Sequence, residues 1–191
     1  MLRKILKKIW YHEVGIQRSY DIWTTEGEKL KGLIPENYIL YGELIGYAPG
    51  GGVIQRGYTY GIEPGECELY IYRVVIVNAR GVTQDLTWDH MVEFCKSIDV
   101  NVAPEIWRGK LKDIDMEDYM DKRLFDAGFR ACLALGDEDV VDEGVVVRID
   151  RRTPYCMKAK SPVFLEYETR LMDEEVEDIE ADQDIDPELD I

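Results

Sequence analysis

Histidine is nearly absent from this sequence and cysteine is sparse. The 191 residues hold His12, His90 and four cysteines (Cys67, Cys95, Cys132 and Cys156), with no Cys-x-x-Cys pair. That spacing argues against a structural zinc site. The thiols read as reduced and mostly buried, not as disulfides. No run of about 18 apolar residues occurs, so nothing is expected to span a bilayer. The first residues, Met-Leu-Arg-Lys-Ile-Leu-Lys-Lys-Ile-Trp, lack the unbroken apolar stretch of a secretory signal, and a cytoplasmic location is the default expectation. Positive charge is also short, with 23 Lys and Arg against 39 Asp and Glu and a net charge of −16. Eleven of those acids fall in Leu171 to Ile191, which has no base, so the first 170 residues carry only −5. The acidity argues against a broad electrostatic footprint for nucleic acid but does not exclude a local basic groove.

What is present suits one domain with a core of ordinary size. Residues 1–170 are expected to form it, and residues 171–191 to be a disordered acidic tail. The first 35 residues read as irregular, apart from Lys4, Lys7 and Lys8 opposite Leu2, Ile5, Leu6 and Ile9, which suggest a solvated amphipathic turn. Tyr38 to Tyr47 and Glu68 to Val77 read as strands, and Asn78 to Gly81 as a turn. Thr87 is placed to cap a helix through Ile98, with Trp88, Met91, Val92, Cys95 and Ile98 on one face. Met116 to Leu135 reads as the best helix in the chain, stopped by Gly136. Gly144 to Ile149 and Tyr155 to Lys160 read as a pair of strands joined by a turn, and Phe164 to about Ile179 as a helix. Strands and helices mix without regular alternation, which predicts an α+β fold with antiparallel sheets and packed helices.

Four segments hold residues whose chemistry stands out. Glu43 lies in a strand between Gly42 and Leu44, although acids are depleted in strands. It reads either as a solvent-facing residue on an edge or as an acceptor aimed at a hydroxyl, with Gly42 letting a ligand or backbone come close. Tyr70 and Tyr72 lie two apart and share a sheet face, for packing or for stacking on a nucleobase. Glu143 follows an acidic run and precedes an apolar strand. It is either solvated or placed to hold a hard cation such as Mg²⁺. Lys158 and Lys160 also share a face by period two, and two adjacent cations call for an anion between them, of which phosphate is the natural one.

Taken in order, these segments resemble the nucleotidyltransferase domain shared by ATP-dependent RNA ligases, DNA ligases and mRNA capping enzymes, and look closest to viral-type RNA ligases. Tyr41-Gly42-Glu43-Leu44 resembles the family's third motif and Leu69-Tyr70-Ile71-Tyr72-Arg73-Val74 the aromatic motif after it. Asp142-Glu143-Gly144-Val145-Val146-Val147-Arg148 matches the fourth motif, and Met157-Lys158-Ala159-Lys160-Ser161 the fifth. Gln55-Arg56-Gly57-Tyr58-Thr59-Tyr60-Gly61 also looks like the RNA-ligase branch. The resemblance covers roughly Leu33 to Phe164.

That resemblance implies ATP and Mg²⁺ as cofactors, RNA ends as partners, and a three-step joining of 5′-phosphate to 3′-hydroxyl through AMP. Glu43 would hydrogen-bond the ribose, Tyr72 or Tyr70 would stack on adenine, Glu143 would help hold the metal, and Lys158 and Lys160 would face the α-phosphate. The family's nucleophile lies in a Lys-x-Asp-Gly motif ahead of the third motif, and no such tetrapeptide occurs in these 191 residues. The expectation is an N-terminally incomplete domain that does not charge itself with AMP and needs a missing N-terminal segment or a second polypeptide for the nucleophile. The competing expectation is a non-catalytic module that binds nucleotide or RNA ends.

Overall fold

A computed structural model describes residues 22–120 and 123–173. The amphipathic turn expected near residues 2–9 and the acidic stretch from residue 174 onward lie outside the described residues. Alternation of Tyr, Ile and Leu along the chain produces two long antiparallel strands, β1 (Tyr38–Gly46) and β2 (Cys67–Val77), as the sequence predicts. Between Tyr41 and Gly42 the register shifts: Tyr41 faces Arg73, Gly42 faces Ile71, and Tyr72 has no β1 partner. This bulge moves the buried series in β2 by one residue. Leu69 and Ile71 meet the core on one side of it, and Val74 on the other.

β3 (Thr83–Asp85) adds antiparallel to β2, after a turn in which the Asn78 side chain accepts from the Arg80 and Val82 amides. Thr87 then starts α1 (Trp88–Ser97), its hydroxyl accepting from the His90 amide. α1 lays Met91 and Cys95, both 0% exposed, against Leu40, Ile71 and Val74. Each such side chain contributes about 1.5–3 kcal/mol. Val92, expected on that buried face, is instead exposed. The chain returns through β4 (Asn101–Val102), which pairs parallel with β2, so the sheet is not wholly antiparallel as expected. The helical crossover of α1 makes that direction possible.

Two further expectations are corrected. The first 35 residues are not wholly irregular, since a helix runs over Ile22–Lys29, with Trp23 against the core and Lys29 paired to Glu26 at 2.6 Å. The helix expected over Met116 to Leu135 is absent. A short 3₁₀ turn covers Met116–Tyr119 and ends where Met120 becomes extended. A long-range partner then takes one backbone amide that a helix would use, and another contact anchors a side chain of the segment. The Asp142 carboxylate binds the Leu124 amide, and Arg123 donates to the carbonyls of Asp137 and Glu138. Tyr119, Leu124 and Leu135 are buried separately and do not form a helical stripe.

The second sheet is a hairpin of β5 (Gly144–Ile149) and β6 (Tyr155–Lys160). α2 (Pro162–Asp173) follows, beginning with proline at its first position and capped by Ser161, whose hydroxyl accepts from the Phe164 amide. Phe164, 0% exposed, joins Tyr58, Leu135 and Val140 in a second buried cluster. Arg148 donates to the Leu86 carbonyl at 2.7 Å and Asp150 accepts from the Trp88 amide at 2.7 Å, which ties the hairpin to the first sheet. The architecture is α+β. No helix among the described residues is long and apolar enough to cross a membrane.

Candidate functional site

The β5–β6 register sets Lys158 opposite Val146 and Lys160 opposite Gly144, so both lysines share one face of the hairpin. Glu143, one residue before β5, turns its carboxylate to this face, where one oxygen lies 3.5 Å from the Lys158 ammonium. The other oxygen accepts from the Gln55 amide at 2.7 Å. Backbone bonds hold this corner, because the Ser161 amide donates to the Glu143 carbonyl at 2.9 Å and the Ser161 hydroxyl to the Asp142 carbonyl at 3.1 Å. Lys160 pairs with both carboxylate oxygens of Glu168 on α2, at 3.1 and 3.3 Å, and sits 5.3 Å from the centre of the Phe164 ring.

In the first sheet, Glu43 is exposed and its register partner is Tyr70. Gly42 lets the β2 backbone come close. A Cβ there would meet the Tyr70 carbonyl oxygen at 2.8 Å and the side chains of Ile71 and Leu69 at 2.9 Å. Tyr70 donates its hydroxyl to Glu68 at 2.7 Å, and burial, ahead of that bond, pushes its pKa up to about 12. Tyr72, the bulged residue, is 37% exposed. Burial of its phenol followed by the nearby Glu43 raises its pKa. Of the two residues, Tyr72 is the more exposed, and it is the one whose phenol Glu43 acts on.

The two sheets meet around a loop that sequence reasoning gave no role. Tyr60 has a left-handed backbone, φ 55°, which is rare outside glycine, and donates its amide to the Leu135 carbonyl at 2.9 Å. Its phenol is held protonated far above the usual range, first by burial and then by Glu143 and Glu43. Both carboxylates thus act on one hydroxyl, although 100 positions separate them in sequence. Tyr58, 1% exposed, donates to the Val141 carbonyl at 2.7 Å and fixes the same loop to the Glu143 corner. Burial also raises the Asp142 pKa, opposed by the Leu124 amide that its carboxylate accepts.

The structure therefore brings Glu143 and Lys158 into contact, and the charges of Glu143 and Glu43 both help to hold the Tyr60 phenol protonated. Lys160 is engaged by α2, and Tyr70 by Glu68. Gln55 and Tyr60 lie in the 55–61 segment that resembles the RNA-ligase branch but were given no individual role there, and Glu168 is an addition that acts from a different element. Among the described residues, no three His, Cys, Asp or Glu side chains gather into a metal-binding group. Glu143 is a single carboxylate, which fits a magnesium ion that keeps its waters and takes phosphate oxygens for its remaining ligands. A family model described as RNA ligase matches residues 5–164. No curated protein matches the chain.

Proposed function

The chain belongs to the RNA ligase family, and from that premise we propose that it forms the ATP-binding nucleotidyltransferase part of a viral-type RNA ligase acting on RNA ends. In this reading residues 1–170 make the domain and residues 171–191 an acidic tail, and the working site is cytoplasmic. The observation that carries the reading is the corner where Glu143 meets Lys158 at 3.5 Å, with Lys160 two residues along the same strand face. Cations fixed on a strand stabilise a phosphoryl group as its charge redistributes, which is most of what such transfer asks of a protein.

Glu43 accepts from the ribose hydroxyls and Tyr72 stacks on adenine, with Tyr70 the second candidate for that ring. Lys158 and Lys160 bind the α-phosphate, Lys160 exchanging part of its contact with Glu168. Glu143 holds Mg²⁺, which when bound neutralises phosphate charge. The RNA end approaches along the hairpin, where residues 144–160 carry five bases against one acid in an otherwise acidic chain, and where Arg151 and Arg152 are exposed in the turn.

Joining through AMP needs an amine that attacks the α-phosphorus, forming a P–N bond while the bond to pyrophosphate breaks. With no Lys-x-Asp-Gly present, that lysine comes from another segment or a second polypeptide, and this chain alone is inactive. Incubation with ATP and Mg²⁺ followed by intact-mass spectrometry is expected to show no AMP adduct on the chain. Adding a segment bearing Lys-x-Asp-Gly is expected to give one on that lysine. Changing Lys158 and Lys160 to Ala should weaken ATP binding at least about tenfold. An adduct on the chain alone refutes the external nucleophile, and ATP affinity indifferent to both lysines refutes the site. The same missing tetrapeptide favours a second reading, a module that binds nucleotide or RNA ends without catalysis. It predicts ATP binding that depends on these lysines, with no adduct even when the segment is supplied.

A further inference from the structure

The turn that joins β5 to β6 carries an aromatic ring and two cations at the tip of the hairpin. Tyr155 closes the last register pair, opposite Ile149, and stays 49% exposed. The Arg151 guanidinium lies 5.6 Å from the centre of its ring and donates through Nε to the Thr153 carbonyl at 3.0 Å. That acceptor brings no charge to cancel the cation's, and Arg152 is exposed next to it. The one acid of the turn is engaged elsewhere. Asp150 takes the Arg148 guanidinium on one oxygen at 2.8 Å and the Trp88 amide on the other at 2.7 Å. With the Arg148 bond to the Leu86 carbonyl, this braces the root of the turn against the first sheet.

A polyanion that also offers flat faces answers both features, because its phosphates meet the guanidinium groups while a base lies on the ring. An acidic peptide answers only the charge. In a duplex the bases stack on one another, whereas a single strand presents their faces. We propose that Tyr155, with Arg151 and Arg152, is a stacking platform for an unpaired base, which seats a single-stranded RNA end on the hairpin tip. This deepens the RNA-end reading given above and rests on it, since the ring does not read the sugar. Arg151 steadies the ring and Arg152 draws the neighbouring phosphate. Stacking accepts every base, so the platform selects unpaired strands without selecting a sequence.

The test is fluorescence anisotropy of the full chain with a short oligo(A) RNA, and with the same backbone lacking its bases, at about 50 mM salt. Tyr155→Leu, which keeps an apolar side chain opposite Ile149, is expected to weaken binding to oligo(A) about five- to tenfold and to leave the abasic strand unaffected. Tyr155→Phe should bind as the unchanged chain does, and Tyr155→Trp about twofold more tightly, a gain that misfolding cannot produce. Arg152→Gln should weaken both strands about two- to threefold, since it removes one phosphate contact. Equal losses on both strands in Tyr155→Leu without a gain in Tyr155→Trp overturn the platform, and so does oligo(A) binding indifferent to all three Tyr155 changes. Both results leave the RNA-end reading in place. Absence of binding to either strand by the unchanged chain overturns that reading and the platform with it. An oligo(dA) of the same length that binds more tightly than the RNA overturns the assignment to RNA.

Discussion

Around Met91 the core is assembled from elements whose own residues dictate their shape, whereas around Phe164 it is assembled mostly from segments without regular structure. In the first region two alternating strands and a capped amphipathic helix supply Leu40, Ile71, Val74, Met91 and Cys95. In the second, Tyr58 comes from a loop, Leu135 and Val140 from an irregular stretch, and only Phe164 from a helix. The candidate site leans on the second region, since Glu143, Gln55 and Lys160 are all anchored there. Groups with functional potential thus stand where order depends most on distant contacts.

The largest effect expected from breaking this contrast is at Phe164. Phe164→Ala should cost about 3–5 kcal/mol, against about 2–5 for Met91→Ala. Amide hydrogen exchange should then lose protection at Val145 to Val147 while Val74 and Val75 keep theirs. Simultaneous loss in both sheets means the two regions unfold as one. A middle-sized effect separates two glycines. Gly42→Ala pushes a methyl into the β2 backbone, an overpacking worth about 1–3 kcal/mol. Gly57→Ala meets Val140 at 2.5 Å and must also hold φ at +80°, a left-handed backbone costing about 1–2 kcal/mol more. Urea denaturation should rank Gly57→Ala as the more damaging, and the reverse order would mean the loop yields where the sheet does not.

The smallest effect is a pH dependence common to both regions. Burial pushes the Cys95 thiol, in the first, up to about 11, and burial followed by Asp142 does the same to Cys132 near the second. From pH 9 to about 11 the folded chain keeps protons that the unfolded chain has released. The stability is therefore complete below pH 9 and is lost as pH rises through 11. The urea midpoint should fall across that window, and Cys95→Ala and Cys132→Ala should each flatten the fall. A slope unaffected by Cys95→Ala would show that this thiol ionises as readily in the folded chain as in the unfolded one.

The same contrast explains what sequence reading reached. β1, β2, α1, β5 and β6 were legible because side-chain period and the Thr87 cap are local signals. Met116 to Leu135 misled because apolar spacing resembles a helix, whereas the Asp142 carboxylate and the Arg123 contacts decide the outcome from 14 to 18 residues away. β4 was missed because two residues carry no pattern. Of the site, Glu143 and Lys158 each stood out by residue type and motif, but their 3.5 Å contact was not legible. The hold of Gln55 on Glu143 spans 88 positions and left no trace in spacing.

The unpaired residue at Tyr72 acts as a phase slip in β2. Upstream of it the odd-numbered residues Leu69 and Ile71 point at α1; downstream that duty passes to the even-numbered Val74. Shortening β2 by this one residue would iron the ladder flat, and the strand would then have to choose which half keeps its hydrophobic face. Glu43 and Tyr70 stay side by side while Leu40 and Val74 stay buried only because the chain carries one residue more than pairing requires.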